Sequence, residues 1–161
     1  MVESLLDILR NNAQESPENI AKMLGVEPAK VKDAIQRLEK RGIIRGWQAI
    51  INEDLIDHQE RVNAVIEVRV TPERDGGFNR IADRVSRFEE VEAVYLMSGA
   101  YDLLIFVNGK SLLSIARFVS EKLSTIHGVL STATHFRLKT YKQSNVLMSR
   151  PSADERLAVT P

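Results

Sequence analysis

The spacing of apolar residues changes once along this chain, and that change divides it. Up to Leu38 apolar side chains recur three and four positions apart, which gathers them on one face of a helix; from Val62 they recur every second position, as in a strand buried on one side. A chain of 161 residues therefore holds a helical unit and a sheet unit, each of roughly 50 to 100 residues and each able to close around its own core.

Leu5, Leu6, Ile8 and Leu9 give a first helix its stripe, which ends near Asn11 and Asn12. Ser16 before Pro17 is a capping hydroxyl ahead of a proline at the first helical position. Ile20, Ala21 and Leu24 then line a second helix until Gly25 stops it. Pro28 opens a third helix, from Ala29 to Arg41, with Val31, Ala34, Ile35 and Leu38 on its buried face and Gly42 at its left-handed cap. Ile43 to Arg45 and Trp47 to Ile51 flank Gly46 and read as a small β-hairpin or wing. Residues 1–51 thus form a winged helix-turn-helix.

Residues 52–61 are polar with one apolar pair and read as a connector. From 62 to 143 the order is strand, helix, strand, strand, helix, strand. Val62 to Val70 alternate; Pro72 ends the strand; Phe78, Ile81, Ala82, Val85 and Phe88 share one stripe; strands follow at Val91–Ser98 and Leu103–Val107. A Ser111-capped helix carries Leu112, Ile115, Ala116, Val119, Leu123 and Ile126, and a last strand runs from Val129 to Tyr141. That order is the ferredoxin-like βαββαβ arrangement, so the expected class is α+β: an antiparallel sheet with both helices on one face. The other face, expected to bear residues such as Val68 or Tyr95, needs a partner. Residues 144–161 show no periodicity and read as a loosely ordered tail.

Chemistry is sparse outside charge. The sequence has no cysteine, which removes disulfides, thiolate metal sites and thiol nucleophiles, and its three histidines, His58, His127 and His135, have no metal-ligand spacing. No metal or cofactor is expected. Gly76-Gly77 is a turn rather than a dinucleotide fingerprint, and no phosphate loop or nucleophile elbow occurs. The longest apolar runs are five residues, Ala93 to Met97 and Leu103 to Val107, against roughly 20 for a membrane helix. The N-terminus lacks a basic segment followed by an apolar core, so a cytoplasmic protein is expected.

Basic and acidic residues balance at 22 each, so any steering charge is local. Between Pro28 and Arg45 stand six basic residues, Lys30, Lys32, Arg37, Lys40, Arg41 and Arg45, against Asp33 and Glu39, a local excess of four. A helix, a glycine turn and a second helix followed by a wing lay that second helix in the major groove of duplex DNA. Lys and Arg also solvate an ordinary exposed helix; the turn before and the wing after favour DNA here. Lys30, Asp33, Gln36 and Arg37 are placed to read bases and Arg41 and Arg45 to position the backbone, with Lys32 and Lys40 completing the DNA-binding set. Trp47 is expected as an apolar anchor under the wing.

Leu38-Glu39-x-x-Gly42-Ile43-Ile44-x-Gly46-Trp47 and, further on, Gly99-Ala100-Tyr101-Asp102 resemble the helix-end and wing signature and the effector turn of the leucine-responsive regulatory protein/AsnC (Lrp/AsnC) family of transcriptional regulators. The resemblance spans roughly residues 5 to 142. It implies homodimers formed by the C-terminal sheets, higher homo-oligomers, and an amino acid or related small molecule bound near that turn by Gly99, Ala100, Tyr101 and Asp102, with Thr132 and Thr134 of the last strand. Glu27 stands where the family commonly has a capping Ser, and Ala34 where it commonly has an Arg; both changes weaken expected DNA contacts. Two other functions share the architecture. One is a siroheme decarboxylase-like enzyme using His135, Arg137, Tyr95 and Tyr101, and the other a stand-alone small-molecule sensor whose DNA-binding unit is weakened.

Overall fold

The computed structural model describes residues 1–56, 61–71 and 77–148. The chain divides into two compact units: Met1–Ile51 joined by the described part of Tyr141–Pro161, and Asn52–Thr140.

In the first unit α1 (Val2–Asn11), α2 (Pro17–Leu24) and α3 (Pro28–Lys40) bury one stripe each, Leu5 and Leu9 from α1, Ile20 and Ala21 from α2, Val31, Ala34 and Leu38 from α3. Their ends form as local chemistry dictates. The Ser16 hydroxyl accepts from the Asn19 amide at 3.1 Å, satisfying a donor the helix leaves orphaned. Gly25 takes a left-handed φ of 65°, and the following Val26 amide closes back on the Ala21 carbonyl at 3.0 Å. The expected hairpin at Ile43–Arg45 and Trp47–Ile51 does not form, and those residues run without a β-ladder. A different hairpin belongs to this unit: β5 (Lys142–Gln143) and β6 (Val146–Leu147), joined by Ser144 and Asn145, both at positive φ, the two-residue turn whose twist suits a hairpin. Residues 144–148, expected as the start of a loose tail, are therefore ordered, and Met148 is buried. The rest of that expected tail, 149–161, lies outside the described residues.

The second unit has the expected βαββαβ order: β1 (Val62–Val70), α4 (Gly77–Val85), β2 (Val91–Leu96), β3 (Leu103–Gly109), α5 (Leu112–Arg117, continued by a π-helical segment Phe118–Leu123) and β4 (Val129–Phe136), which ends five residues before the expected Tyr141 because its partner β1 begins at Val62, with Ala64 opposite Phe136 the last ladder pair. The sheet order is β2-β3-β1-β4, antiparallel throughout. Ala64, Ile66, Val68 and Val70 alternate into the core with Leu103, Ile105 and Val107, and Ile81, Val85, Ile115, Phe118, Leu123 and Ile126 cover them. Val68, expected on the open face, is fully buried on this helix side. The open face instead carries Val65, Glu67 and Arg69 from β1, with Leu104, Phe106, Tyr95, Ala133 and His135 in register beside them. Tyr95 is 54% exposed there and meets Phe106 edge-to-face at 5.8 Å.

Half of the expected connector is structured. Asn52–Ile56 belong to the sheet unit, where the short 3-10 turn Glu53–Leu55 is tied down by Glu53, whose carboxylate accepts from Asn63 at 2.9 Å and pairs with Arg61 and Arg137. Residues 57–60, Pro72 and Gly76 lie outside the described residues.

Candidate functional site

All eight side chains expected at DNA, Lys30, Lys32, Asp33, Gln36, Arg37, Lys40, Arg41 and Arg45, are exposed on or just after α3. The buried stripe of Val31, Ala34 and Leu38 faces the α1 and α2 core and so turns Asp33, Gln36 and Lys40 to the opposite side. Two of the eight are engaged within the unit. Lys32 Nζ donates to Glu18 Oε1 of α2 at 2.9 Å; this hydrogen bond holds the Glu18 carboxyl below its ordinary range, and it straps the two helices of the motif together. Arg37 Nε donates to the Asp33 carbonyl at 3.1 Å, which lays its side chain back along α3.

The two departures from the family pattern differ in consequence. Glu27 stands at the N-cap of α3, exposed and making no capping hydrogen bond, so its carboxylate remains near any DNA phosphate approaching that helix end. Ala34 is 6% exposed within the helical core, so an Arg here would have to displace packed side chains. Ala34 is thus a core residue and not a missing phosphate contact, which corrects the expectation above.

Trp47 is not buried under a wing. It is 48% exposed, and its Nε1 donates to Glu39 Oε1 at 3.2 Å, tying the segment after α3 to the last turn of that helix. This segment, the α1 residues Leu6, Leu9 and Arg10 and the β5–β6 turn line a groove of about 370 Å³.

The Gly99–Asp102 turn joins β2 to β3. Gly99 takes φ 130°, and a Cβ added there would meet nothing within 4 Å. Ala100 is exposed, and Tyr101 and Asp102 are half-buried. Asp102 does more than the sequence indicated. Its amide donates to the Val68 carbonyl at 3.0 Å, and its Oδ2 accepts from the Val70 amide at 2.8 Å. It thereby extends the β1–β3 ladder past the end of β3 and supplies an acceptor where β1 shifts register against β4 between Arg69 and Val70. Arg69 completes the arrangement, its Nε donating to the Ala100 carbonyl at 2.8 Å. Sequence reasoning missed Arg69 because the contact crosses thirty-one positions; the available signal was a lone basic residue on the face of β1 opposite its core stripe.

Thr132 and Thr134 do not join this turn within one chain. They sit half-buried on edge strand β4, opposite Val68 and Ile66, on the helix side of the sheet and with β1 between them and the turn. The residues named for an enzyme have separate neighbours: His135 Nε2 lies 3.4 Å from Glu67 Oε1, Arg137 Nη2 pairs with Glu53 Oε2 at 3.4 Å, Tyr95 packs on Phe106, and Tyr101 lies in the β2–β3 turn. No helix among the described residues is long and apolar enough to cross a membrane.

Comparison with known proteins agrees with this architecture. A family profile described as the Lrp/AsnC ligand binding domain matches residues 63–147, and one described as a winged helix-turn-helix DNA-binding domain matches residues 3–45. The chain is 46% identical over 157 residues to the uncharacterized HTH-type transcriptional regulator YugG of Bacillus subtilis (strain 168), covering 98% of this chain and 95% of that protein. It is 26% identical over 147 residues to the leucine-responsive regulatory protein of Escherichia coli (strain K12), covering 90% and 87%. Among solved structures, a transcriptional regulator of Neisseria meningitidis in complex with L-Met superposes with a TM-score of 0.68 at 22% identity, over 93% of this chain and 94% of that one. The helix-turn-helix, the βαββαβ unit with its Gly-x-Tyr-Asp turn and these matches together place the chain in the Lrp/AsnC family of transcriptional regulators, with an N-terminal DNA-binding domain and a C-terminal Lrp/AsnC ligand-binding domain.

Proposed function

We propose that this protein is a cytoplasmic, non-enzymatic regulator that reads duplex DNA with α3 and adjusts that binding to an amino acid held at the Gly99–Asp102 turn. It needs no cofactor. The observation that carries this reading is the pairing, in one chain, of a cationic helix free of core duties on its outer face with a turn that is open at Gly99 and fixes the half-buried Asp102 carboxylate through one oxygen on the Val70 amide. Asp33 and Gln36 lie one helical turn apart on the outer face of α3 and contact bases there; Lys30 and Arg37, expected from sequence to read bases, lie on the flank of α3 with Arg37 laid back on the Asp33 carbonyl, so they join Lys40, Arg41 and Arg45 at phosphates. The Lys32–Glu18 pair is exposed, and such pairs contribute about 0 to 1 kcal/mol, so Lys32 is released to a phosphate at little cost.

Homodimers form through the open sheet face, where Tyr95, Leu104, Phe106 and Val65 give an apolar centre; higher homo-oligomers follow from further contacts. The Neisseria regulator whose structure holds L-Met supports an amino acid as the ligand class. Asp102 takes the ammonium group, and Gly99, Ala100 and Tyr101 shape the site. Thr132 and Thr134 reach a turn only across subunits. Anisotropy titration of labelled genomic fragments, with and without each of the twenty amino acids, tests the proposal. At least one amino acid should shift DNA affinity by about 5- to 150-fold, the usual range of coupling between sites. Absence of DNA binding at low salt would refute it.

A further inference from the structure

Two charged side chains are held at the β2–β3 turn by backbone groups. The Asp102 carboxylate rests with Oδ2 on the Val70 amide, and the Arg69 guanidinium rests with Nε on the Ala100 carbonyl. Two opposite charges are thus anchored to one four-residue turn, yet they do not form an ion pair with each other, and among the described residues Arg69 pairs with no carboxylate. Backbone hydrogen bonds hold them in separate places. In the single chain Arg69 is exposed at the end of β1, beyond the apolar centre of Val65, Leu104, Phe106 and Tyr95 through which the sheets are proposed to pair, and the Cβ position of Gly99 opens to empty space.

A guanidinium fixed through Nε still offers the N–H donors of both terminal nitrogens, a fork matched to a carboxylate. We infer that Arg69 is the specificity-determining residue for the α-carboxylate of the effector, binding it end-on through Nη1 and Nη2 while Asp102 takes the ammonium. This rests on the amino-acid reading of the turn and deepens it: the ligand must be a zwitterion, so an amine or amide of the same side chain is rejected. The register of β1 gives Arg69 this position. Its neighbours Val68 and Val70 are locked into the core, which fixes the strand, and the Ala100 contact fixes the side chain.

The test compares, by calorimetry, the amino acid that binds the full-length protein best with its carboxamide, which keeps ammonium and side chain but has no carboxylate. The parent should prefer the acid by about 10- to 150-fold, the range for a hydrogen-bonded charged group. Arg69→Gln should abolish the preference by weakening the acid alone, and Arg69→Lys, which keeps the charge without the fork, should retain part of it. Asp102→Asn should weaken acid and amide by the same factor. A parent that binds both alike overturns the inference with no variant needed. An Arg69→Gln protein that loses acid and amide equally overturns it too, since Arg69 then only holds the turn. If no amino acid binds the parent, the effector reading itself falls, and the role of Arg69 falls with it.

Discussion

Asp102→Ala deprives the Val70 amide of its acceptor. That amide belongs to a residue 2% exposed, and its hydrogen bond is partly buried at 2.8 Å, so water replaces the carboxylate poorly. A donor left without a partner in such a place costs about 1 to 3 kcal/mol; we take about 2 kcal/mol. Asp102→Asn keeps an acceptor oxygen in the same position and exchanges a charged acceptor for a neutral one, a difference of about 1 kcal/mol. For a unit the size of the sheet domain, each kcal/mol lowers Tm by about 4 to 8 °C. The assay is urea denaturation followed by circular dichroism at fixed protein concentration, with the m-value checked for constancy. The order parent, Asn, Ala in decreasing stability is expected. An Ala variant no less stable than the Asn variant would show that the carboxylate does not cap β1, and the structural half of the turn argument would fail.

Gly109→Ala should destabilise the sheet unit by about 1 to 3 kcal/mol, because the new Cβ would lie 2.6 Å from Ser114 Oγ and 2.7 Å from Ile115 Cγ1; urea midpoints check it, and an unchanged midpoint means that α5 yields freely. Burial disfavours the ionised form of Glu90, but hydrogen bonds from the Lys122 ammonium and its own backbone amide outweigh it, so its carboxyl titrates below the ordinary range. A depressed folded-state value contributes stability above the unfolded pKa and loses it as pH falls through the folded value; Lys122→Met should therefore flatten the acid limb of a stability–pH curve, and an unaltered limb would dismiss the pair. Light scattering should give at least twice the 18.1 kDa chain mass at micromolar concentration, and Tyr95→Glu on the open face should shift the protein toward monomer; a parent already monomeric would remove the shared interface.

How far the fold could be read depended on whether the signal was local. The Ser16 cap, Gly25 and the stripe of α3 involve residues a few positions apart, and they formed as expected. Alternation along β1 placed four residues in the core for the same reason, although Val68 was also named for the open face, which that alternation itself forbids. The hairpin expected at Ile43–Arg45 and Trp47–Ile51 did not form because strand propensity near Trp47 acts only against a partner strand, and no ladder forms between Ile43 and Ile51. The β5–β6 hairpin had a signature, Ser144-Asn145 between two short extended pairs, but it was absorbed into a segment read as a tail. At the turn, Gly99 and Asp102 were legible as residue types. The link from Asp102 to Val70 and from Arg69 to Ala100 was not, because it exists only once β1 and β3 are paired. Ala34 shows the converse: a family pattern suggested a lost contact, and burial shows a packed methyl.

The central claim is that α3 meets DNA through its exposed cations, and the salt dependence of binding tests it most directly. Log affinity for a genomic fragment should fall linearly with log salt, and Arg37→Ala and Arg41→Ala should each reduce the magnitude of that slope by about 1, as expected for one lost phosphate contact. Arg84→Ala, an exposed change on α4 of the other unit, should leave the slope unaltered. Equal slopes for the parent and both α3 variants would contradict the account.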